Sequence, residues 1–257
     1  MDVYRKELTR LYASQELGSE TLDGNVIEEC NRLAEGISAV SGACCIVTDA
    51  AEDYCYLHAG SLGTLIGISD TLSDYKELDS SDEDLIYTRL HPEDLVEKRM
   101  LEYEFFKYVD HMTADEKVRY KATCRIRIKD RNGDYVFIDN STQVLRPSPA
   151  GRIWLILCCY DLAPGQNRID GISPRIINNH TGEIVSVSFS ERKRRILTDR
   201  EKEILMLIKE GKASKQIAYL LDISVYTVNR HRQNILEKLS VGNSIEAIAA
   251  ADSMKLI

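Results

Sequence analysis

The 257-residue sequence lacks any hydrophobic run near the length that a membrane-spanning helix requires, which is about 18 residues. Its first residues, MDVYRKELTR, also lack the apolar stretch and the small-residue cleavage site of a signal peptide. Neither route to a membrane is therefore indicated. We expect a soluble, cytoplasmic protein with no membrane partner.

Motifs for metal binding and catalysis are missing as well. The seven cysteines include no C-x-x-C pair, so neither a zinc site nor a disulfide framework is indicated, and we expect free thiols. The sequence has no nucleophile–base motif, no Gly-rich phosphate loop and no metal-ligand spacing. An enzyme is therefore not expected, and no cofactor is evident.

The net charge of −8 conceals two segments of opposite sign. From Arg192 onward the chain has 13 Lys and Arg against 8 Asp and Glu, which gives +5, and the residues before it carry −13. A chain of this length has room for about two domains. The basic segment suits a nucleic-acid partner, whereas the acidic segment is not expected to lie on DNA.

Start and stop signals divide the basic segment into four amphipathic helices. Thr198 lies three residues before Glu201, which predicts a capping box, and Gly211 can adopt the positive φ that ends the first helix. The short turn between the second and third helices is typical of helix-turn-helix geometry. The remaining start signals are Ser214, Ser224 and Asn243, the last with Glu246 as its capping-box partner.

The third helix, VYTVNRHRQNILEKL, carries hydrogen-bonding side chains opposite its apolar row. Arginine pairs bidentately with guanine, and Asn and Gln do the same with adenine, so this face suits the major groove. The base-reading candidates are Asn229, Arg230 and Gln233, with Glu237 beside them. The candidate phosphate ligands are Lys215, Thr227, Arg232 and Lys238. The alternative is an ordinary solvated polar helix face.

The same segment resembles the LuxR-type C-terminal helix-turn-helix domain. The resemblance covers about sixty residues: LTDREKEIL, the Gly211 turn, SKQIA, IS-x-x-TV-x-x-H, NIL-x-KL and NSIEAI occur in order. It implies that the third helix enters the major groove, that dimers commonly pair through the fourth helix, and that the DNA-facing residues are Thr227, Asn229, Arg230, Gln233 and Lys238. Asn229 stands where many members have Lys. We interpret His231 as a packing or phosphate-adjacent residue, because no second metal ligand lies one turn away.

The acidic segment predicts two strands, a helical block and three further strands after an initial helix over about 26–40. The strand patterns are GACCIVTD, DYCYLHAG, VRYKATCRIRIKD, DYVFIDNSTQVLR and RIWLILCCYDL. Pro92 suits the first turn of the long helix, and Asn132-Gly133 predicts a hairpin. With its HPED and R-x-K-D-x-x-G-D-Y motifs, this order resembles a PAS domain. The resemblance implies an α+β fold with a five-stranded antiparallel sheet, helices over one face and space for a small molecule.

The predicted organisation has four parts. Residues 1–24 form a helical extension that either pairs two copies or is an ordinary surface helix, and residues 25–165 form the PAS-like sensor domain. Residues 166–192 form a hairpin linker, and residues 193–257 form the all-α four-helix domain. Arg192–Arg195 are interpreted as a solvated charge cluster, with phosphate contact as the alternative.

The signal that the sensor domain detects is not readable from the residues. No GxNCRFLQ-like motif supports a photoactive flavin, and His58, His91 and His111 lack the clustered partners of a haem or metal site. Cys44-Cys45 and Cys158-Cys159 fall in the first and last predicted strands, which the PAS resemblance implies are neighbours in the sheet. Our interpretation is that they are buried hydrophobes, and a thiol-based redox or metal response is the rival hypothesis.

These patterns favour a transcriptional regulator that binds double-stranded DNA as a homodimer and acts on the transcription machinery. The sensor domain is expected to respond to a small molecule, the redox state or a partner. A receiver domain is disfavoured because its acidic cluster does not fall at the ends of alternating βα units. The alternative is a sensor that acts mainly through protein–protein contacts and binds DNA weakly.

Overall fold

The structure is a computed structural model that describes residues 3–257 apart from 73, 82, 168, 170, 188, 190–195, 240 and 255. The chain divides into two compact units. The larger unit comprises residues 7–187, and the smaller comprises residues 188–257 with the first six residues. The interpretation of residues 192–195 lies entirely outside the residues that the structure describes.

The larger unit is built on one antiparallel sheet. Among the described residues the strands are β1 Cys44–Asp49, β2 Tyr54–His58, β3 Tyr75–Leu78, β4 Tyr120–Lys129, β5 Tyr135–Pro147, β6 Ile153–Leu162, β7 Arg175–Asn178 and β8 Ile184–Ser186. Their order across the sheet is β3-β2-β1-β6-β5-β4-β7-β8. The predicted α+β class is confirmed, and the sheet is larger than expected.

The first and last of the five predicted strands are neighbours in the middle of this sheet. β1, the first strand, pairs with β6, the last of the five predicted strands, and Cys45 lies directly opposite Cys159. Three further strands extend this five-stranded centre. β3 pairs with β2, and the hairpin assigned to the linker forms β7 and β8, of which β7 pairs with β4. The linker hairpin is thus part of the sheet.

The helices outside the basic segment are α1 Val3–Ser14, α2 Gly24–Ser41, α3 Gly60–Leu65, α4 Asp84–Tyr87, α5 Pro92–Asp110 and α6 Ala114–Lys117. Asp23 caps α2 by accepting the backbone N–H of Asn25 at 3.0 Å. Pro92 occupies the first turn of α5 as predicted, where its missing N–H costs no helical hydrogen bond. None of the helices in the described part of the chain has the length and apolarity needed to cross a bilayer.

α2 and α5 cover opposite faces of the sheet. Because side chains alternate along a strand, Cys45 faces one side of β1 and Cys44 the other. Cys45 joins Ala34 of α2 in a buried hydrophobic cluster, so we call this side the outer face. Cys44 lies opposite Tyr160, whose ring centre is 5.5 Å from the ammonium of Lys98 on α5. We call this second side the interior face.

The smaller unit contains the four predicted helices. They are α7 Asp199–Lys209, α8 Ser214–Leu220, α9 Val225–Leu239 and α10 Ser244–Ser253. Each of the four helices contributes a buried apolar side chain: Ile204, Ile217, Ile235 and Ala247. The predicted all-α arrangement is confirmed.

Several of the predicted helix boundaries are confirmed in atomic detail. Thr198 accepts the N–H of Glu201 at 3.3 Å, and the Glu201 carboxylate accepts the N–H of Thr198 at 2.8 Å, which is a complete capping box. Gly211 has φ +80°, a left-handed conformation that ends α7. Ser224 caps α9 by accepting the N–H of Thr227 at 3.0 Å.

Two of the other caps differ from expectation. Ser214 is wrong as an N-cap: it is the first residue of α8, and Gln216 instead reaches back to accept the N–H of Ala213 at 2.8 Å. Asn243 caps α10 as predicted, but Glu246 accepts the N–H of Gly242 at 2.8 Å, not that of Asn243. Gln216 thus contacts the residue three positions before it, whereas Glu246 contacts a donor one position before the N-cap residue Asn243.

Candidate nucleic-acid interface and buried polar cluster

α9 presents a continuous polar surface to solvent. Asn229, Arg230, Gln233 and Glu237 are exposed, and we call these four residues the reading face. The opposite side of the helix is anchored in the core of the smaller unit by Val228, Ile235 and Leu239, which are buried. Arg230, Gln233 and Glu237 are three and four residues apart, as the helical repeat requires of neighbours on one face. The geometry leaves the base-reading candidates open to a partner.

The N-terminal end of α9 is held in a fixed relation to the helices before it. The hydroxyl groups of Ser224 and Thr227 lie 2.8 Å apart, which completes the cap of the first turn. Arg200 of α7 donates to the carbonyl oxygen of Leu221 at 2.8 Å, just after α8. The turn between α8 and α9 passes through Asp222 with φ +50°, a left-handed conformation that short polar side chains tolerate. The two helices therefore meet in a defined helix-turn-helix geometry.

The predicted phosphate ligands differ in their availability. Lys215 is exposed in the first turn of α8. Arg232 instead bridges two helices by donating to the hydroxyl groups of Ser214 at 3.2 Å and Ser244 at 3.1 Å. Lys238 is engaged as well, because its ammonium lies 2.6 Å from the carboxylate of Glu201, whose side chain is only 3% exposed. The structure thus gives Arg232 and Lys238 internal partners.

His231 is half-buried on α9, and its Nδ1 has no hydrogen-bond partner in the described part of the chain. It belongs to none of the clusters of potential metal ligands found among the described residues. The interpretation of His231 as a packing or phosphate-adjacent residue stays a prediction.

The interior face of the larger unit holds charged side chains that lie almost completely out of solvent. Glu83, Tyr87, Lys98, Glu102 and Tyr160 form what we call the buried polar cluster, and each is at most 6% exposed. The Lys98 ammonium donates to Glu102 at 2.5 Å and to the Tyr87 hydroxyl at 2.8 Å. Tyr87 in turn donates to both carboxylate oxygens of Glu102. Hydrogen bonds therefore compensate the cost of burying these charges.

The other half of the buried polar cluster pairs a phenol with a carboxyl group. Tyr160 donates a hydrogen bond to Glu83. Burial raises the pKa of Glu83, and the Lys98 ammonium and the Tyr160 hydroxyl oppose this effect only in part. Burial alone would lower the pKa of Lys98, but the carboxylates of Glu102 and Glu83 outweigh it, so the pKa of Lys98 lies above its ordinary value. Lys98 is therefore cationic at neutral pH.

The paired cysteines separate onto the two faces of the sheet. Cys44 and Cys158 lie on the interior face, where burial raises the pKa of both thiols. Cys45 and Cys159 lie on the outer face with their sulfur atoms 3.6 Å apart. The contact with Cys45 and burial raise the pKa of Cys159 too. Since the thiolate is the reactive form, these pKa shifts favour inert, packed thiols.

Two histidines of the larger unit, His91 and His58, lie beside other polar side chains. His91, Glu93 and Asp94 bring potential metal-ligand atoms within 4.8 Å of one another, but the guanidinium of Arg127 lies among them, 2.6 Å from Asp94 and 2.9 Å from Glu93. The HPED motif thus ties the start of α5 to β4. His58 donates to the side-chain carbonyl of Asn31 at 3.1 Å, an assignment that follows from the partner.

The buried polar cluster is the feature that the sequence patterns do not reveal. Lys98 and Glu102 are spaced i,i+4, which is typical of an ion pair on an exposed helix surface. A usable signal is nevertheless present in α5, because PEDLVEKRMLEYEFFKYVD interleaves charged and apolar residues around the whole helix. A helix without a single apolar stripe is either buried or solvated on all sides, so its pattern allows charged residues to be buried.

Comparison with known proteins identifies the C-terminal segment. Residues 195–251 match the model of the family described as bacterial regulatory proteins, luxR family. The uncharacterized response regulatory protein YgeK of Escherichia coli is 53% identical over 55 residues, which are 21% of this chain and 37% of that protein. The transcriptional regulatory protein DesR of Bacillus subtilis is 56% identical over 52 residues, 20% of this chain and 26% of that protein.

A longer match reaches the oxygen regulatory protein NreC of Staphylococcus epidermidis, with 32% identity over 117 residues, 44% of this chain and 53% of that protein. The chain thus spans between about a quarter and about half of the curated relatives that it matches. Among solved structures, the VqmA dimer of Vibrio cholerae is 17% identical over 92% of this chain and 89% of its own, with a TM-score of 0.30. A phage VqmA in complex with DPO is 15% identical over 90% of each chain, with a TM-score of 0.31.

Proposed function

We infer that this chain is a DNA-binding transcriptional regulator from one premise: residues 195–251 form a LuxR-type helix-turn-helix domain. The exposed reading face of α9 supports the inference, since Arg, Asn and Gln are the side chains that read base edges in the major groove. DesR and NreC, which match this segment, are themselves named as regulatory proteins.

In this proposal one group of residues contacts the bases of DNA and another contacts its phosphates. Asn229, Arg230 and Gln233 contact base edges, and Lys215 contacts phosphate. Thr227 is proposed as a second phosphate ligand, because its hydroxyl lies in the first turn of α9. Arg232 and Lys238 reach phosphate only by leaving their internal partners, so in the free protein they also stabilise the fold.

The larger unit acts as the sensor in this proposal. Its buried polar cluster lies on the interior face, where the PAS resemblance predicts a small-molecule site. A ligand with a hydrogen-bond donor would replace Tyr87 at the Glu102 carboxylate or Tyr160 at the Glu83 carboxylate. This replacement would change the packing of α5 on the sheet. We further propose that the chain acts in the cytoplasm as a homodimer and contacts the transcription machinery.

A mobility-shift assay with the full chain tests the central part of this proposal. The labelled DNA fragments come from the region upstream of the protein's own gene. Each binding reaction also contains the same excess of unlabelled, unrelated duplex as competitor. Regulation predicts a shifted band that survives the competitor. Shifts that disappear in proportion to total competitor DNA would contradict sequence-specific binding and favour a sensor that works through protein contacts.

A further inference from the structure

A cleft of about 620 Å³ opens on the outer face of the larger unit. α2 forms one wall, and β2 and the segment through β3 form the other. This volume falls in the range of small-molecule sites, about 300–1,000 Å³. The cleft is separated by the sheet from the interior face and its buried polar cluster. It therefore lies on the other face of the sheet from the proposed sensory site.

Aromatic and apolar side chains supply much of the wall. Tyr56, His58 and Tyr75 line the β-strand side, and Ile27 and Leu72 add aliphatic surface. The rings of His58 and Tyr75 lie 5.2 Å apart between their centres. Leu72 is 66% exposed and Tyr75 is 45% exposed, so apolar surface remains uncovered there. Such walls accept the body of a small organic molecule.

Hydrogen bonds fix the orientation of these rings. The Tyr75 hydroxyl donates to one carboxylate oxygen of Glu77 at 3.0 Å, and the Tyr54 hydroxyl donates to the other at 2.7 Å. His58 is held by Asn31 of α2 at 3.1 Å. Because the rings of His58 and Tyr75 are already held in place in the free protein, ligand binding costs little further side-chain conformational entropy.

The charges that line the cleft are unequal, and Lys76, which lies outside the lining, pairs with Asp74 at 3.3 Å. The lining includes four carboxylates, those of Glu28, Glu35, Asp74 and Glu77. Among the described residues that line it, Arg32 is the one permanent cation, and it lies 3.6 Å from Glu28. Glu35 forms no ion pair with any residue that the structure describes. Burial lowers the pKa of His58, so this imidazole is neutral at neutral pH and does not balance the carboxylates.

We propose that this cleft binds a small organic ammonium ion with an apolar body. The body packs against Ile27 and the rings of Tyr56 and Tyr75, and the ammonium approaches the Glu35 carboxylate. A cation near an aromatic face gains electrostatic attraction in addition to the carboxylate contact. Anions are repelled by the same carboxylates. A neutral molecule of equal shape loses the ionic contribution and binds more weakly.

Calorimetric titration of the full chain with phenethylamine tests the proposal, with 2-phenylethanol as a neutral probe of the same shape. We expect saturable binding of the amine and at least about tenfold weaker binding of the alcohol, which corresponds to about 1.4 kcal/mol. Equal affinities would overturn the proposal. So would the absence of saturable amine binding with a dissociation constant tighter than about 1 mM.

Substitutions locate the site. Glu35→Gln keeps the shape of the side chain and removes its charge, so we expect about tenfold weaker amine binding. Glu29→Gln is the matched control, since Glu29 is an exposed residue of the same helix that does not line the cleft. Tyr75→Leu is expected to weaken binding, and Tyr135→Leu, at a tyrosine of similar exposure elsewhere, is not. Equal effects within either pair would contradict the assignment.

Discussion

Lys98 shows how a single buried charge is accommodated in this fold. Its side chain is fully buried, yet its ammonium has Glu102 and the Tyr87 hydroxyl within hydrogen-bond distance. A buried ion pair contributes little by itself, because desolvation offsets the attraction. Removing one partner is costly, since the other charge is then left buried and uncompensated.

Lys98→Met is therefore expected to lower the free energy of unfolding of the larger unit by about 3–5 kcal/mol. Lys107→Met is the matched control, because Lys107 is an exposed residue of the same helix and its replacement is expected to change stability by less than about 0.5 kcal/mol. Urea denaturation of the full chain measures both. Equal losses for the two variants would contradict the role given to Lys98.

Glu83 provides a prediction about pH. Burial raises its pKa, so the folded protein holds this proton at a higher pH than the unfolded chain does. The stability linked to Glu83 is accordingly present below the ordinary Glu pKa of about 4.3 and is lost as the pH rises through the folded-state value. Carboxyl ¹³C NMR is expected to place the Glu83 midpoint above about 4.3.

Tyr160→Phe removes the phenol that stabilises the charged form of Glu83, so its midpoint is expected to rise further. A midpoint at or below the ordinary value in the unmodified protein would contradict the effect of burial on Glu83, and a fall in the variant would contradict the role of the Tyr160 hydrogen bond.

The residues of the two candidate sites differ in how far the sequence predicts them. The reading face follows from the spacing of Asn229, Arg230 and Gln233 on one amphipathic helix, because exposure opposite an apolar stripe is a local property. The internal partners of Lys238 and the burial of Lys98 depend on side chains far apart in the sequence. No spacing within a single helix contains that information.

At the scale of elements, helix starts and tight turns are the most predictable features. Thr198 with Glu201 and the positive φ of Gly211 are determined by residues within one turn of each other. The additional strands are less predictable. β3 and β8 are only 4 and 3 residues long, and they become strands by pairing with edges that β2 and β7 supply.

The pairing of α7 with α9 gives the next prediction. Lys238 neutralises the buried carboxylate of Glu201, which also caps α7. Lys238→Ala is therefore expected to lower the free energy of unfolding of the smaller unit by about 1–3 kcal/mol, less than a fully buried pair because the Lys238 side chain is 25% exposed.

Lys209→Ala serves as the control, since the Lys209–Asp252 pair is exposed and is expected to contribute less than about 1 kcal/mol. Thermal denaturation in the absence of DNA compares the two. If only Lys209→Ala is destabilising, the role of the Lys238 pair in the fold is wrong.

At the scale of the whole molecule, charge is divided between the two functions. The segment before Arg192 carries a net charge of −13, and the remainder of the chain carries +5. Phosphate repels an acidic segment, so the proposed contact with DNA is expected on the smaller unit. This division supports a regulator in which one unit binds DNA and the other detects a signal.

Dimeric binding gives a geometric prediction. Two reading helices related by twofold symmetry require two half-sites about one helical turn apart, or about 34–36 Å. DNase footprinting with the full chain is expected to protect a pseudo-palindromic sequence of that spacing. Protection of a single half-site at saturation would contradict the homodimer.

The most direct test compares two substitutions on two DNA sequences. The full chain, its Arg230→Ala variant and its Lys215→Ala variant are titrated by fluorescence anisotropy against the preferred site and a scrambled duplex at several salt concentrations. Arg230→Ala is expected to lose about 1–3 kcal/mol on the preferred site and little on the scrambled one. Lys215→Ala is expected to weaken both alike and to reduce the salt slope by about one. Equal losses on both sequences for Arg230→Ala would contradict the assignment of α9 as the helix that reads DNA.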